Sequence, residues 1–243
     1  MSLEKALDIL ELYNFDHTTY SVAEMAEKLN QPQSSVYRHL KVLKNRGYIR
    51  EDKEDMYKLG YKILYFSKII RDDTNLLHVT REEMIRLRDA TKETIILSIR
   101  SGYHAVCLDT ISSLQPINVS SKQGAIVPIH CGASSKVLLA YMDEKFIDQL
   151  YELNVVERYT ENTICDREEL LKELEDIRRK GYAYSESEID WGVSTYSVPI
   201  FDFNGSLITS LSVAFPSERI KDIDSQFLIH QLKESASNIE KYL

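Results

Sequence analysis

Long apolar runs are missing from this sequence: the longest, such as Val137-Leu138-Leu139-Ala140, fall far short of the ~20 apolar residues a membrane-spanning helix needs. No basic segment followed by an apolar core opens the chain, so no secretory leader is expected. Cysteine is scarce, with Cys107, Cys131 and Cys165 far apart and no CxxC pair. That argues against a disulfide framework and fits reduced thiols in a cytoplasmic protein. No glycine-rich phosphate loop, Gly-x-Ser-x-Gly elbow or His-Glu-x-x-His pair occurs, and no cofactor is expected. What remains is ordinary globular composition, 43% hydrophobic and 28% charged, over 243 residues, enough for two domains.

The formal net charge of −8 speaks against a nucleic-acid partner only on average. Between Gln33 and Arg50 lie Arg38, Lys41, Lys44, Arg46 and Arg50 without one acidic residue. A local basic surface, not net charge, is what phosphate meets. A basic run is usually just a solvated helix face, but here it coincides with a second signal. Leu3, Ala6, Leu7, Leu10 and Tyr13 recur at helical spacing, with Ser2 placed to cap them. Ser21 with Glu24 forms a capping box opening a helix to Leu29. Asn30-Gln31-Pro32-Gln33 is a turn, and a third helix runs from about Pro32 to Arg46 with Val36, Leu40 and Leu43 inward and Gly47 at its end.

Two short helices joined tightly after a first one form a helix-turn-helix, whose later helix enters the major groove. Its outward side then holds Gln33, Ser34, Ser35, Tyr37, Arg38 and Lys41, side chains suited to phosphate positioning and base-edge reading. Tyr48-Ile49-Arg50 and Met56-Tyr57-Lys58-Leu59 alternate around the charged tip 51–55 and read as a two-stranded wing. Its acidic tip is expected to keep clear of phosphate.

These residues resemble the IclR family of bacterial regulators. The similarity lies in Leu3 to Leu10, Pro32 to Leu40, Leu43 to Tyr48 and Tyr57-Lys58-Leu59-Gly60. It continues in Val127 to His130, Lys136 to Ala140, Gly181 to Ser185, Glu188, Gly192 and Val198 to Asp202. No single piece is specific; their order and spacing are. The family is named for a repressor, and the resemblance implies a transcriptional regulator that binds a double-stranded DNA operator under control of a small-molecule effector.

The expected organisation is a winged helix-turn-helix over 1–60, a linker helix over 61–75 and an effector-binding domain over 76–243. Tyr61 to Arg71 is apolar on more than one face, which serves packing within the chain or, as the family implies, pairing of two subunits. One small winged helix reads little sequence alone, so a homodimer or dimer of dimers is expected. Beyond it, a helix over Leu76–Thr91 is followed by strands at Thr94–Arg100, His104–Ile111 and Ile126–Ile129. Helices are expected at Ser134–Met142, Lys145–Tyr151 and Arg167–Lys180. Strands at Ser194–Phe201 and Ser206–Phe215 join through Asn204-Gly205, and a helix over Asp224–Tyr242 closes the chain. Hairpins with segregated helices make the class α+β, and the resemblance implies a GAF-like α/β sensor.

Small residues from His130 to Lys136 open a helix, whose free N–H groups and dipole suit a small anionic metabolite. Tight packing and turn capping are the bland explanation for the same residues. The resemblance implies effector contacts at Ala133, Ser134, Ser185, Thr195, Ser212 and Ala214. Some members carry Asp, Cys and Ser where Ser185, Thr195 and Ala214 stand here, so the preference is expected to differ. The rival reading is a metal- or thiol-dependent enzyme with an accessory helical domain, built on Cys107, His130, Cys131 and Cys165. Their spacing fits no structural zinc pattern, and adjacent His130 and Cys131 point apart unless the backbone turns sharply.

Overall fold

The computed structural model describes residues 2–52, 55–73 and 75–243, and it separates into two compact units meeting at 75/76. The expected cap at Ser2 rests on a side chain outside the described ones; Lys53 and Glu54 of the wing tip also lie outside the described residues.

The first unit is built on local signals. Helix α1 (Ser2–Glu11) precedes a two-residue strand β1 (Tyr20–Ser21) and α2 (Val22–Lys28). The Ser21 side chain accepts from Glu24 N–H and the Glu24 carboxylate accepts from Ser21 N–H, so two orphan donors of the helix start are satisfied together. Helix α3 (Gln33–Asn45) follows Pro32 and buries Val36, His39, Leu40 and Leu43. Val36, Leu40 and Leu43 pack with Ile9, Tyr20, Met25, Ile49 and Tyr57 into one small core. Strands β2 (Ile49–Glu51) and β3 (Met56–Leu59) form the wing, with β1 added on the far side of β3. Gly60 lets the wing return against the end of α3: a Cβ there would meet the Gly47 carbonyl oxygen at 2.0 Å. Helix α4 (Lys62–Asp73) is the last helix of this unit. Tyr61, Leu64, Tyr65 and Ile69 around it are exposed, while Lys62 Nζ lies over the Tyr48 ring at 4.8 Å.

The second unit runs α5 (Asn75–Thr91), β4 (Thr94–Ser101), β5 (His104–Ile111), β6 (Ile126–Pro128), α6 (Ala133–Ala140), α7 (Glu144–Glu152) and α8 (Arg167–Lys180). Then come β7 (Ala183–Glu186), β8 (Val193–Phe201), β9 (Leu207–Pro216) and α9 (Ser225–Glu240). The strands make one antiparallel sheet in the order β6-β5-β4-β9-β8-β7. Strand β7 is an addition to the elements expected from sequence. It pairs with β8 through Ser185↔Thr195 and forms the sheet's edge.

Period-two alternation gives the sheet two unlike faces. Ile95, Leu97, Tyr196, Val198, Ile200, Leu211, Val213 and Phe215 face one way and join Met84, Leu87, Leu228 and Leu232 of α5 and α9 in the larger core. The opposite parity carries Ser98, Ser197, Ser210, Ser212 and Ala214, all buried. A sheet face that is buried and yet rich in hydroxyls must place its hydrogen bonds internally or offer them to a ligand. Ala183 on that parity packs with α6 and α8, which form a second core with Val137, Leu138, Leu139, Leu170 and Leu174.

Candidate functional site

On α3, Gln33, Ser34, Tyr37, Arg38 and Lys41 are exposed along one side, and Ser35 is half-buried. The helix pins this side outward because its opposite side is locked in the core through Val36, Leu40 and Leu43. Lys44, part of the basic run, forms an ion pair with Glu51 of the wing, and Lys58 pairs with Asp52. Glu51 and Asp52 of the wing thus each neutralise one nearby cation. Between the first turns of α2 and α3 and the wing lies an open groove of about 570 Å³, lined by Ser21, Ala23, Gln33, Ser34, Tyr37 and Asp55 among others. His39 of α3 is buried as well, beyond the core face that the spacing of Val36, Leu40 and Leu43 predicts.

In the second unit the six residues expected to meet an effector fall around one place. Ser185, Thr195 and Ala214 stand side by side on β7, β8 and β9, with Thr94 of β4 next in the same rank. Ser212 lies one step along, opposite Ser197, and their hydroxyls are 2.8 Å apart. The first turn of α6 sits over this face. Ala133 N–H donates to Ser185 Oγ at 2.9 Å, and Ser210 Oγ donates to the Ser134 carbonyl at 3.0 Å.

The helix start is less open than the small residues imply. Gly132 N–H donates to the Glu188 carboxylate at 2.8 Å, so an anion already occupies part of the place where a ligand's charge was expected. Glu188 in turn holds Lys136 Nζ at 2.6 Å, and Glu173 holds it from α8 at 2.8 Å. Gly132 has φ +79°, and a Cβ there would come within 2.8 Å of Ile189 Cδ1, so the β7–β8 hairpin closes directly on the helix start. Ser135 Oγ is buried without a hydrogen-bond partner. On the far side of the rank, Thr94 Oγ1 donates to the Val119 carbonyl at 2.7 Å, which straps the β5–β6 connection across the sheet end. Arg219 ties the same connection at the Ile117 carbonyl while pairing with Glu93 at 2.7 Å. Burial pushes the Glu93 carboxyl up to about 7, with Arg219 pulling it back down. Two open clefts beside α8, of about 600 and 300 Å³, are lined by none of the six residues.

Glu188 and Lys136 are not among the site residues expected from sequence. A signal was present: a lone lysine inside Lys136-Val137-Leu138-Leu139-Ala140 is 1% exposed and demands a carboxylate partner. Ser197 and Ser210, buried on the same face, escape a sequence reading because strand alternation alone does not say which side is covered.

The thiol reading gains nothing from the geometry. Burial pushes the Cys131 thiol up to about 12, and the nearby Glu188 carboxylate pushes the same way. His130 Nε2 lies 2.9 Å from the Glu157 carbonyl, and burial draws its pKa down. A nucleophilic cysteine needs the opposite shift. Among the described residues, no three His, Cys, Asp or Glu side chains gather where they could hold a metal, and no helix is long and apolar enough to cross a membrane.

A winged helix-turn-helix followed by an α+β unit with a buried polar sheet face defines a DNA-binding regulator with a sensor module. Known proteins bear this out. The family model of the IclR helix-turn-helix domain matches residues 2–53, and that of the bacterial transcriptional regulator IclR C-terminal domain matches residues 70–241. The chain belongs to the IclR family of transcriptional regulators. It is 29% identical over 239 residues to the HTH-type transcriptional regulator KdgR of Escherichia coli, covering 98% of this chain and 90% of that one. The IclR structure from Thermotoga maritima is 29% identical with a TM-score of 0.73, covering 100% and 98% of the two chains. An IclR homologue from Microbacterium hydrocarbonoxydans, solved in complex with 4-hydroxybenzoate, shares the fold at a TM-score of 0.82 with 21% identity, covering 99% and 98%. The family is one of regulators, not enzymes, and nothing supports the alternative enzymatic reading.

Proposed function

We propose that the chain works as a cytoplasmic homodimer or dimer of dimers that grips its operator through α3 and releases or tightens it when a small anionic metabolite binds the second unit. In this reading 1–60 reads DNA, 61–75 links and pairs subunits, and 76–243 senses the effector. The observation that carries it is the exposed face of α3, where Arg38 and Lys41 supply charge and Gln33, Ser34 and Tyr37 supply hydrogen-bonding groups, with half-buried Ser35 beside them. Phosphate contacts fix register and base-edge contacts choose sequence, and this one helix face offers both chemistries.

The sensor reading rests on the place where Ala133, Ser134, Ser185, Thr195, Ser212 and Ala214 come together over the polar sheet face. An acidic ligand there replaces part of the hydrogen bonding that Ser185 and Glu188 give the helix start, so binding and local rearrangement are coupled. The relative that holds 4-hydroxybenzoate supports an acidic class of effector. Exposed Tyr61, Leu64, Tyr65 and Ile69 support subunit pairing through α4, since apolar area of that kind gains by leaving water.

The test is a thermal-shift screen of metabolites followed by a DNA mobility shift. A true effector raises apparent stability by mass action and changes the DNA shift at the same concentration. A compound that stabilises the protein yet never alters DNA binding counts against the coupling.

A further inference from the structure

Asp55 is the last described residue before β3, and its φ of +58° lies in the left-handed region, which Asp tolerates better than most residues. It is exposed, and it lines the groove of about 570 Å³ together with Gln33, Ser34 and Tyr37 of α3. Two of the described cations of α3 and the wing are committed elsewhere: Lys44 to Glu51 and Lys58 to Asp52. Among the described residues, no ion pair engages the Asp55 carboxylate.

An unpaired carboxylate on a surface that approaches polyphosphate lowers affinity for every duplex alike. The penalty is offset only where a donor meets it. An ionised carboxylate accepts hydrogen bonds and donates none. Of the major-groove edges, guanine and thymine present acceptors, and adenine places its N7 acceptor beside its amine. Cytosine alone presents an amine without an adjoining acceptor.

We infer that Asp55 is a specificity-determining residue: its carboxylate accepts from a cytosine N4 amine beside the bases read by α3, and its charge disfavours duplexes lacking that amine. The inference rests on α3 being the DNA reader. It adds a discriminating contact from the wing, where the sequence pattern implied only avoidance of phosphate.

The test is selection of binding sites from random duplex DNA by the wild-type protein, Asp55→Ala and Asp55→Asn, followed by anisotropy titrations on the selected duplex and an unrelated one. Wild type fixes a cytosine in each half-site, and its preference there over thymine is about tenfold. Asp55→Ala loses the preference at that position alone and binds the unrelated duplex more tightly. Asp55→Asn keeps the left-handed turn and a neutral acceptor, so it retains part of the cytosine preference while also gaining on the unrelated duplex. A merely structural role for Asp55 moves thermal stability but not the chosen base. The inference is overturned when all three proteins select the same base at every position, or when wild type fixes no cytosine that Asp55→Ala releases. An Arg38→Ala/Lys41→Ala control separates the two readings: its loss of binding to all duplexes upholds α3 even where Asp55 proves silent.

Discussion

Lys136 Nζ lies 2.6 Å from Glu188 Oε1, with the two side chains 1% and 8% exposed, and the other oxygen of Glu188 caps Gly132. One buried ion pair thus fixes the first turn of α6 to the hairpin after β7. Removing one partner of such a pair leaves an uncompensated charge and costs about 3–5 kcal/mol. Lys136→Met is expected to lose stability of that order in urea unfolding. Glu188→Gln is expected to lose less, because its amide oxygen still accepts from Gly132. A Lys136→Met protein as stable as wild type would refute this role for the pair at the helix start.

Glu93 gives the protein a pH dependence of its own. Its folded pKa of about 7 stands above the ordinary 4.5, so between those values the folded chain holds a proton that the unfolded chain has released. Stability from this group is therefore greatest below about pH 4.5 and falls as pH rises toward 7. Glu93→Gln should flatten the pH 5–7 slope by on the order of 1–3 kcal/mol. Chemical denaturation across that window checks it, and an unchanged slope removes Glu93 as its source.

Pairing through α4 predicts that Leu64→Glu with Ile69→Glu shifts the assembly toward monomer. A loss of about 1.4 kcal/mol per interface is a tenfold change in dissociation constant, readable by light scattering over a concentration series. Identical masses for variant and wild type at every concentration would place the interface elsewhere.

At the sensor site, Thr195→Val keeps volume and removes one hydroxyl. Affinity for a metabolite found in the thermal-shift screen should drop by about 0.5–1.5 kcal/mol, or more where the ligand's charge meets that hydroxyl. Ser134→Trp should abolish the response by filling space while DNA binding persists. Isothermal titration decides; wild-type affinity in both variants moves the ligand away from these residues.

The parts legible in the sequence are those written in local chemistry. Ser21 and Glu24 announce α2 three residues apart, and Val36, Leu40 and Leu43 fix which side of α3 is left for DNA. Asn204-Gly205 marks the turn between β8 and β9 in the same way. Strands β1 and β7 escape a sequence reading because each is short and exists only through a partner, Tyr57 being 37 positions from Tyr20 in one case. The site divides likewise. Ala133 and Ser134 stand out as small residues at a helix start, whereas the lone lysine beside Val137-Leu138-Leu139-Ala140 marks a charge in need of a partner without naming Glu188, which lies 52 positions away.

That α3 holds operator phosphates and bases is tested most directly by the salt dependence of binding. Anisotropy of a labelled duplex, chosen by the wild-type protein from random DNA, is titrated at several salt concentrations with wild type and with Arg38→Ala/Lys41→Ala. Every phosphate that a variant no longer neutralises lowers the slope of log K against log salt by about 0.9. Weaker binding is expected of the double variant, with a slope reduced by about two such steps while the protein remains folded. Wild-type affinity with a wild-type slope in that folded variant would contradict α3 as the DNA reader.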